Sequence, residues 1–196
     1  MVNKAGFVHY KRASDGVWTK KWEDFTDISI SSNNEFWKHD RSDEKTYKYD
    51  GTNWVLKGGI VSKLAVGPNF AWTVDRLNKI SKYDGTSWAT VTGDAFDIGV
   101  GSMQSEYLPE SVFIISTTEK GAFQGKIIKK YNGTSFDDVQ YSMPYTPINS
   151  VKINVDYWGH AWLVDEWGYI HHFTGNEWLV EVGNAIDVRH GYDDKV

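Results

Sequence analysis

One short phrase returns along this chain and limits what it can fold into. Tyr49-Asp50-Gly51-Thr52-Asn53-Trp54 recurs as Tyr83-Asp84-Gly85-Thr86-Ser87-Trp88 and as Tyr131-Asn132-Gly133-Thr134-Ser135-Phe136. A looser copy is Phe173-Thr174-Gly175-Asn176-Glu177-Trp178, and an earlier one is Ser14-Asp15-Gly16-Val17-Trp18. The anchoring glycines at 16, 51, 85, 133 and 175 are 35, 34, 48 and 42 residues apart, the scale of one propeller blade. Asp-Gly or Asn-Gly between apolar residues is a hairpin turn, because Gly accepts the positive φ that a tight turn demands and Asp or Asn tolerates it.

The segments before each turn read as strands. Phe36-Trp37-Lys38-His39-Asp40, Ala71-Trp72-Thr73-Val74-Asp75, Phe113-Ile114-Ile115-Ser116 and Ala161-Trp162-Leu163-Val164-Asp165 are short and aromatic or β-branched. Upstream of them lie alternating segments at 27–30, 63–66, 97–100, 151–154 and 187–190, and period-2 alternation argues strand at each place. A unit thus holds four strands, and no segment shows a capped 3.6-residue pattern, so helix is expected to be scarce. Running the C-terminal 187–196 into 1–12 completes a fifth unit. The predicted architecture is all-β: a single domain, 1–196, folded as a five-bladed β-propeller of four-stranded antiparallel blades, its ring closed by the two termini in one blade. Closure protects strand edges.

The blade pattern resembles the tectonin repeat family, which includes the horseshoe-crab tachylectins. The likeness rests on Trp88-Ala89-Thr90-Val91-Thr92-Gly93-Asp94-Ala95-Phe96-Asp97-Ile98-Gly99-Val100-Gly101 and on Trp178-Leu179-Val180-Glu181-Val182-Gly183-Asn184-Ala185-Ile186-Asp187-Val188. Both are similar to the family's Trp, Val-x-Gly, small residue, Asp-Ile-x-Val-Gly progression. Other units depart from it at Ser31, Phe113, Phe136 and Asn154. The resemblance implies binding rather than catalysis: carbohydrate held in shallow sites between blades, or a protein partner held by an interaction scaffold.

A pyranose offers an apolar face to an indole and hydroxyls to fixed acceptors. Trp and Asp fall together at Trp37 with Asp40, Trp72 with Asp75, and Trp162 with Asp165, which makes these six the candidate carbohydrate contacts; repetition would add multivalency. The competing reading packs the Trp side chains between blades and uses each Asp to cap the turn that follows. The anchors Trp18, Trp54, Trp88, Phe136 and Trp178 are expected in the framework. The third unit is 14 residues longer than the second, with extra length around 101–110 and 117–125. Long loops on a rigid scaffold carry binding, so a protein partner on one face or on the 101–125 insertion is the alternative. Tyr141-Ser142-Met143-Pro144-Tyr145-Thr146-Pro147 reads either as a lid over a blade junction or as a second binding segment.

Composition removes other classes. Lys and Arg number 21 against 26 Asp and Glu, for a net charge of −5, so the clustered cations that nucleic acid requires are missing. With no Cys there is no disulfide scaffold, thiolate metal site or cysteine nucleophile. No catalytic, phosphate-binding or Ca-loop motif is present; no enzyme activity, cofactor or metal site is expected. His171 and His172 point to opposite faces of a strand and are poor joint ligands. Asn132-Gly133-Thr134 fits a glycosylation acceptor but stands where other units have Asp-Gly turns. Lys152 and Arg189 are placed level with Ser29, Ala65 and Gly99 on the innermost strands, where they would bind an anion in the channel or be solvated. Nothing approaches the roughly 20 apolar residues of a spanning helix and no signal peptide opens the chain, so the expectation is a soluble protein, cytoplasmic by default, with secretion left open.

Overall fold

The computed structural model describes residues 8–11, 18–22, 25–31, 35–40, 42–59, 61–101, 110–119, 125–139 and 149–188. They form seventeen strands and, among the described residues, no helix. β1 (Val8–Lys11) and β2 (Trp18–Trp22) make a hairpin. β3 (Phe25–Ile30), β4 (Phe36–Asp40), β5 (Thr46–Tyr49) and β6 (Trp54–Gly58) follow as a four-stranded antiparallel meander. A second such meander is β14 (Ser150–Val155), β15 (Ala161–Asp165), β16 (Tyr169–Phe173) and β17 (Trp178–Asn184).

Between them β7 (Lys63–Val66), β8 (Ala71–Val74), β9 (Lys79–Tyr83), β10 (Trp88–Gly101), β11 (Ser111–Glu119), β12 (Lys126–Tyr131) and β13 (Phe136–Asp138) run as one seven-stranded sheet. It consists of two four-stranded units that share β10. The first part of β10 pairs with β9 from Trp88 to Asp94, and the remainder pairs with β11 from Ala95 to Gly101. The register shifts between Val91 and Asp94, around Gly93 at φ +131°. No side chain approaches an added Cβ there closer than 3.5 Å, so the backbone conformation selects glycine, not lack of space. Gly183, at φ +126°, occupies the same place at the end of the last unit. The Val-x-Gly phrase is thus the bulge by which an outer strand leaves its blade.

The turn prediction holds in detail. Gly51, Gly85, Gly133 and Gly175 have φ between +100° and +106°. Asp50, Asp84 and Asn132 each accept two backbone N–H groups within their turns, at 2.7 to 2.9 Å. Those bonds hold the Asp50 and Asp84 carboxyls below the usual carboxylate range. The turn bonding thereby accounts for Asn132 among its Asp counterparts. The first copy, at 14–17, the fifth-unit splice through 189–196 and 1–7, and the 141–147 segment lie outside the described residues.

Adjacent units pack through their innermost strands and their aromatics. A Cβ on Gly99 would stand 2.8 Å from Asn154 Cα, and one on Gly101 2.3 Å from the Asp156 carbonyl oxygen, so β10 and β14 meet backbone to backbone. Ser29 accepts from the Val66 amide at 3.1 Å and Asp97 from the Ile153 amide at 3.2 Å, two links between neighbouring units. In the first three complete units the second-strand aromatic meets the ring before the next unit's turn: Trp37 with Tyr83 at 5.6 Å, Trp72 with Tyr131 at 4.9 Å, Phe113 with Phe173 at 6.1 Å. These edge-to-face contacts, a geometry aromatic quadrupoles favour, lie within a core of buried aliphatic residues such as Val74, Ile80, Ile114, Ile128 and Leu163.

Candidate functional site

The six predicted contact residues do not converge. Trp37 and Trp72 are 2% and 1% exposed, held in the aromatic series above, while Trp162 is half-buried. Each Asp stands three positions after its Trp, and an odd separation on a strand puts two side chains on opposite faces. The carboxylates are engaged in turns. Asp75 Oδ1 accepts from the Leu77 and Lys79 amides at 2.7 and 2.9 Å, and Asp165 Oδ1 from the Trp167 and Tyr169 amides at 3.0 and 2.9 Å. Asp40 accepts from the Ser42 amide and hydroxyl and from the Lys38 ammonium. Burial pushes the Asp40 carboxyl up, but Lys38 and Ser42 outweigh it and hold it below its ordinary value. In the third unit Ser116 replaces the acid and accepts from the Thr118 amide at 3.1 Å.

The turns these aspartates build lift other side chains into solvent. Leu77 is 76% exposed and its counterpart Trp167 is 54% exposed. Beside Trp167 an open cleft of about 700 Å³ is lined by Asp165, Glu166, Asn184 and Asp187 among others. A second open cleft, of about 550 Å³, lies at the junction of two units, between Lys130, Asn132 and Asp137 on one side and Phe173 and Asn176 on the other. Indole face and polar acceptors therefore come together at Trp167, which the sequence reading did not single out. The signal was available: Asp165-Glu166-Trp167-Gly168 repeats the frame of Asp75-Arg76-Leu77-Asn78, with Gly168 and Asn78 both at positive φ.

A second repeated feature crosses the strands. The partner of each second-strand aromatic is a cation or an imidazole: Trp37 with Lys48, Trp72 with Lys82, Phe113 with Lys130, Trp162 with His172. Lys82 Nζ sits 3.6 Å from the Phe70 ring centre and 5.4 Å from that of Trp72, a cation–π arrangement. In the last unit the Trp162 and His172 rings stack instead, at 4.0 Å and 12°. Trp72 Nε1 donates to Glu110 Oε2 at 3.2 Å, and Trp162 Nε1 to Asp156 Oδ2 at 3.1 Å.

Asp156, 2% exposed, forms a compact group with His160 and His172 whose ligand-type atoms all lie within 4.8 Å of one another. His171 faces the other way, its Nε2 3.0 Å from Asp165 Oδ2, as expected for neighbours on a strand. Sequence reading missed the cluster because His160 and His172 meet only once β15 and β16 pair.

The pairing corrects one assignment on the innermost strands. Asn154, opposite Trp162, is level with Ser29, Ala65 and Gly99, which face Trp37, Trp72 and Phe113. Lys152 is therefore level with Asp27, Lys63 and Asp97. The pairing thus sets Lys152 two positions from the level read in the sequence, and the bulge between Ser150 and Lys152 matches those between Phe25 and Asp27 and between Ala95 and Asp97. The four strands alternate in charge, with Lys63 Nζ 3.9 Å from Asp97 Oδ1. Burial lowers the Lys63 ammonium's pKa, Asp97 opposes that, and Lys152 adds to it. Arg189 lies outside the described residues.

The matched model in the family comparison is the Tectonin domain, over residues 24–106. These residues are similar to that domain. They comprise the first complete meander, the second, and the stretch of β10 that enters the third. No curated protein matches the chain in sequence. Among solved structures the fold is similar to β-propellers. Virginiamycin B lyase from Staphylococcus aureus has a TM-score of 0.60 at 13% identity, over 97% of this chain and 69% of that one. YCF48 bound to D1 peptide has a TM-score of 0.51 at 14% identity, over 91% and 61%. YCF48 from Cyanidioschyzon merolae has a TM-score of 0.51 at 15% identity, over 92% and 66%. The chain thus spans about two thirds of these propellers' lengths, and at such identities the likeness is one of fold. No helix among the described residues is long and apolar enough to cross a membrane.

Proposed function

We propose that this is a non-enzymatic, lectin-like propeller of five blades, closed by the chain termini, that binds carbohydrate at shallow surface sites. The observation that carries the reading is Trp167: an indole 54% exposed, held out by the Asp165 turn, in an open cleft with carboxylate and amide acceptors. A pyranose stacks on such a face while its hydroxyls donate to Asp187, Glu166 and Asn184. Placing the stacking contact at Trp167 leaves Trp37 and Trp72 to the framework and Asp40, Asp75 and Asp165 to the turns. The cleft between Lys130 and Asn176 adds a site at a blade junction. Several weak sites on one scaffold would hold a clustered glycan. Closure of the ring is supported by Asp187, whose Oδ1 accepts from the Val188 amide at 3.0 Å just as Asp27 accepts from Ile28 at 2.9 Å.

Glycan arrays followed by calorimetry with amino sugars and common monosaccharides test this. Millimolar binding that Trp167→Ala weakens about tenfold, roughly 1.4 kcal/mol, is expected; no binding, or binding indifferent to that change, rejects it. A protein-interaction scaffold is the second reading, favoured by the likeness to a propeller solved with a bound peptide. It predicts binding to a protein partner that survives Trp167→Ala and is lost when the 101–125 insertion is shortened.

A further inference from the structure

The three residues at the solvent end of the last blade have the chemistry of a metal site. Asp156 follows β14 and opens a tight turn: its amide donates to the His160 carbonyl at 2.9 Å, its Oδ1 accepts from the His160 amide at 2.8 Å, and Gly159 at φ +85° completes the bend. The turn therefore fixes His160 against the carboxylate, with His160 Nδ1 3.5 Å from Asp156 Oδ2. From the neighbouring β16, His172 presents Nε2 to the same oxygen at 4.0 Å, beyond hydrogen-bond range. That nitrogen is buried and has no hydrogen-bond partner. A buried imidazole nitrogen left in this way is open to a bound ion or water.

Ligands held about 2.1 Å from a tetrahedral Zn²⁺ ion stand about 3.4 Å apart, and the ligand atoms here, all within 4.8 Å of one another, reach that spacing if the two rings close by up to about 1.4 Å. The His172 ring is already oriented. Trp162 stacks on one face, and Nδ1 lies 3.6 Å from Glu181 Oε1, the outer-sphere carboxylate that metal-bound histidines commonly have. His160, its side chain 36% exposed, leaves the site open to solvent. Two imidazoles and one carboxylate suit a divalent d-block ion and leave a position for water.

We propose that Asp156, His160 and His172 bind one Zn²⁺ ion that ties the β14–β15 turn to β16. The site is independent of the carbohydrate reading, because Trp167 sits on the turn at the opposite ends of β15 and β16. The test is a zinc chloride titration of the untagged full chain against a chromophoric chelator, repeated with Co²⁺ to read its d–d bands. One ion per chain is expected, with a four- or five-coordinate Co²⁺ spectrum. His160→Ala and His172→Ala, checked for retained folding by circular dichroism, should each weaken the site on the order of 100-fold, and Glu181→Gln about 10-fold. Since His160 is a partly exposed turn residue, its loss leaves the core intact and keeps the test decisive. Absence of binding at 100 µM Zn²⁺, an octahedral Co²⁺ spectrum, or affinity unchanged by both histidine substitutions overturns the proposal.

Discussion

The second and fourth units share a backbone plan and differ in what they place on it. In both, a Trp in the second strand donates its indole N–H to an acid, faces a basic residue on the third strand, and is followed by an Asp that closes the next turn. In the second unit the acid is Glu110, which comes from the neighbouring unit and accepts from Asn69 and Phe70 at 2.7 and 2.9 Å as well as from Trp72. Burial there pushes the Glu110 carboxyl above its ordinary range, against the pull of those donors and of Lys82. The base is Lys82, and the turn side chain is Leu77. In the fourth unit the acid is Asp156 from its own blade, the base is His172, and the turn side chain is Trp167. One set of choices builds a seam between blades, while the other gathers ligand chemistry at two solvent-facing ends. Blade position fixes the geometry, and a few residues at strand ends decide between framework and site.

Removing the two Trp side chains should break the comparison furthest apart. Trp72→Ala opens a cavity between units and should cost about 3 to 5 kcal/mol, whereas Trp162→Ala should cost about 1 to 2 kcal/mol; denaturant melts measure both. Equal losses would mean that the two positions do the same work. Next in size, Gly101→Ala drives a Cβ into the Asp156 carbonyl and should lower stability by about 1 to 3 kcal/mol, weakening Zn²⁺ binding at the same time. Glu110→Gln, which keeps most of the acceptors but loses the charge, should cost about 1 kcal/mol and leave the fourth unit's binding untouched. It should also remove a pH slope: a raised folded-state pKa means stability is present below the ordinary value of 4.5 and declines as pH rises through the shifted one.

His172→Lys converts the fourth unit's pair to the second unit's, so the melting temperature should move by only a few degrees, about 1 kcal/mol, while Zn²⁺ binding disappears. The smallest effect lies in the first unit, where Tyr47 Oη donates to Asp43 Oδ2 at 2.5 Å and its pKa is raised to about 12. That contribution is complete below pH 10 and is lost as pH rises through about 12. Asp43→Asn should return one tyrosinate step toward pH 10 in an ultraviolet titration.

What sequence reasoning reached was what local chemistry dictates. The Asp-Gly turns follow from a glycine's φ and a neighbouring acceptor, both within four residues, and the strands follow from period-2 alternation. What it did not reach depended on pairing. Trp and Asp three apart were grouped because they adjoin in sequence, although a pleated strand parts them. Lys152 was set two positions off because the level of an innermost-strand residue is fixed by its partner across the ladder, Val164 for Lys152 and Trp162 for Asn154. Glu110 reaches back 38 residues to Trp72, and His160 meets His172 only through the β15–β16 register. Trp167 was legible in principle, since it repeats the frame around Leu77.

The account turns on which indoles meet ligand. The chain has 10 Trp residues, each with one Nε1–H resonance in a nitrogen-15 NMR spectrum. In a titration with the sugar selected on the array, the Trp167 resonance, assigned by its loss in Trp167→Ala, should shift saturably while those of Trp37 and Trp72 stay fixed. Shifts at Trp37 and Trp72 with Trp167 unmoved would contradict it.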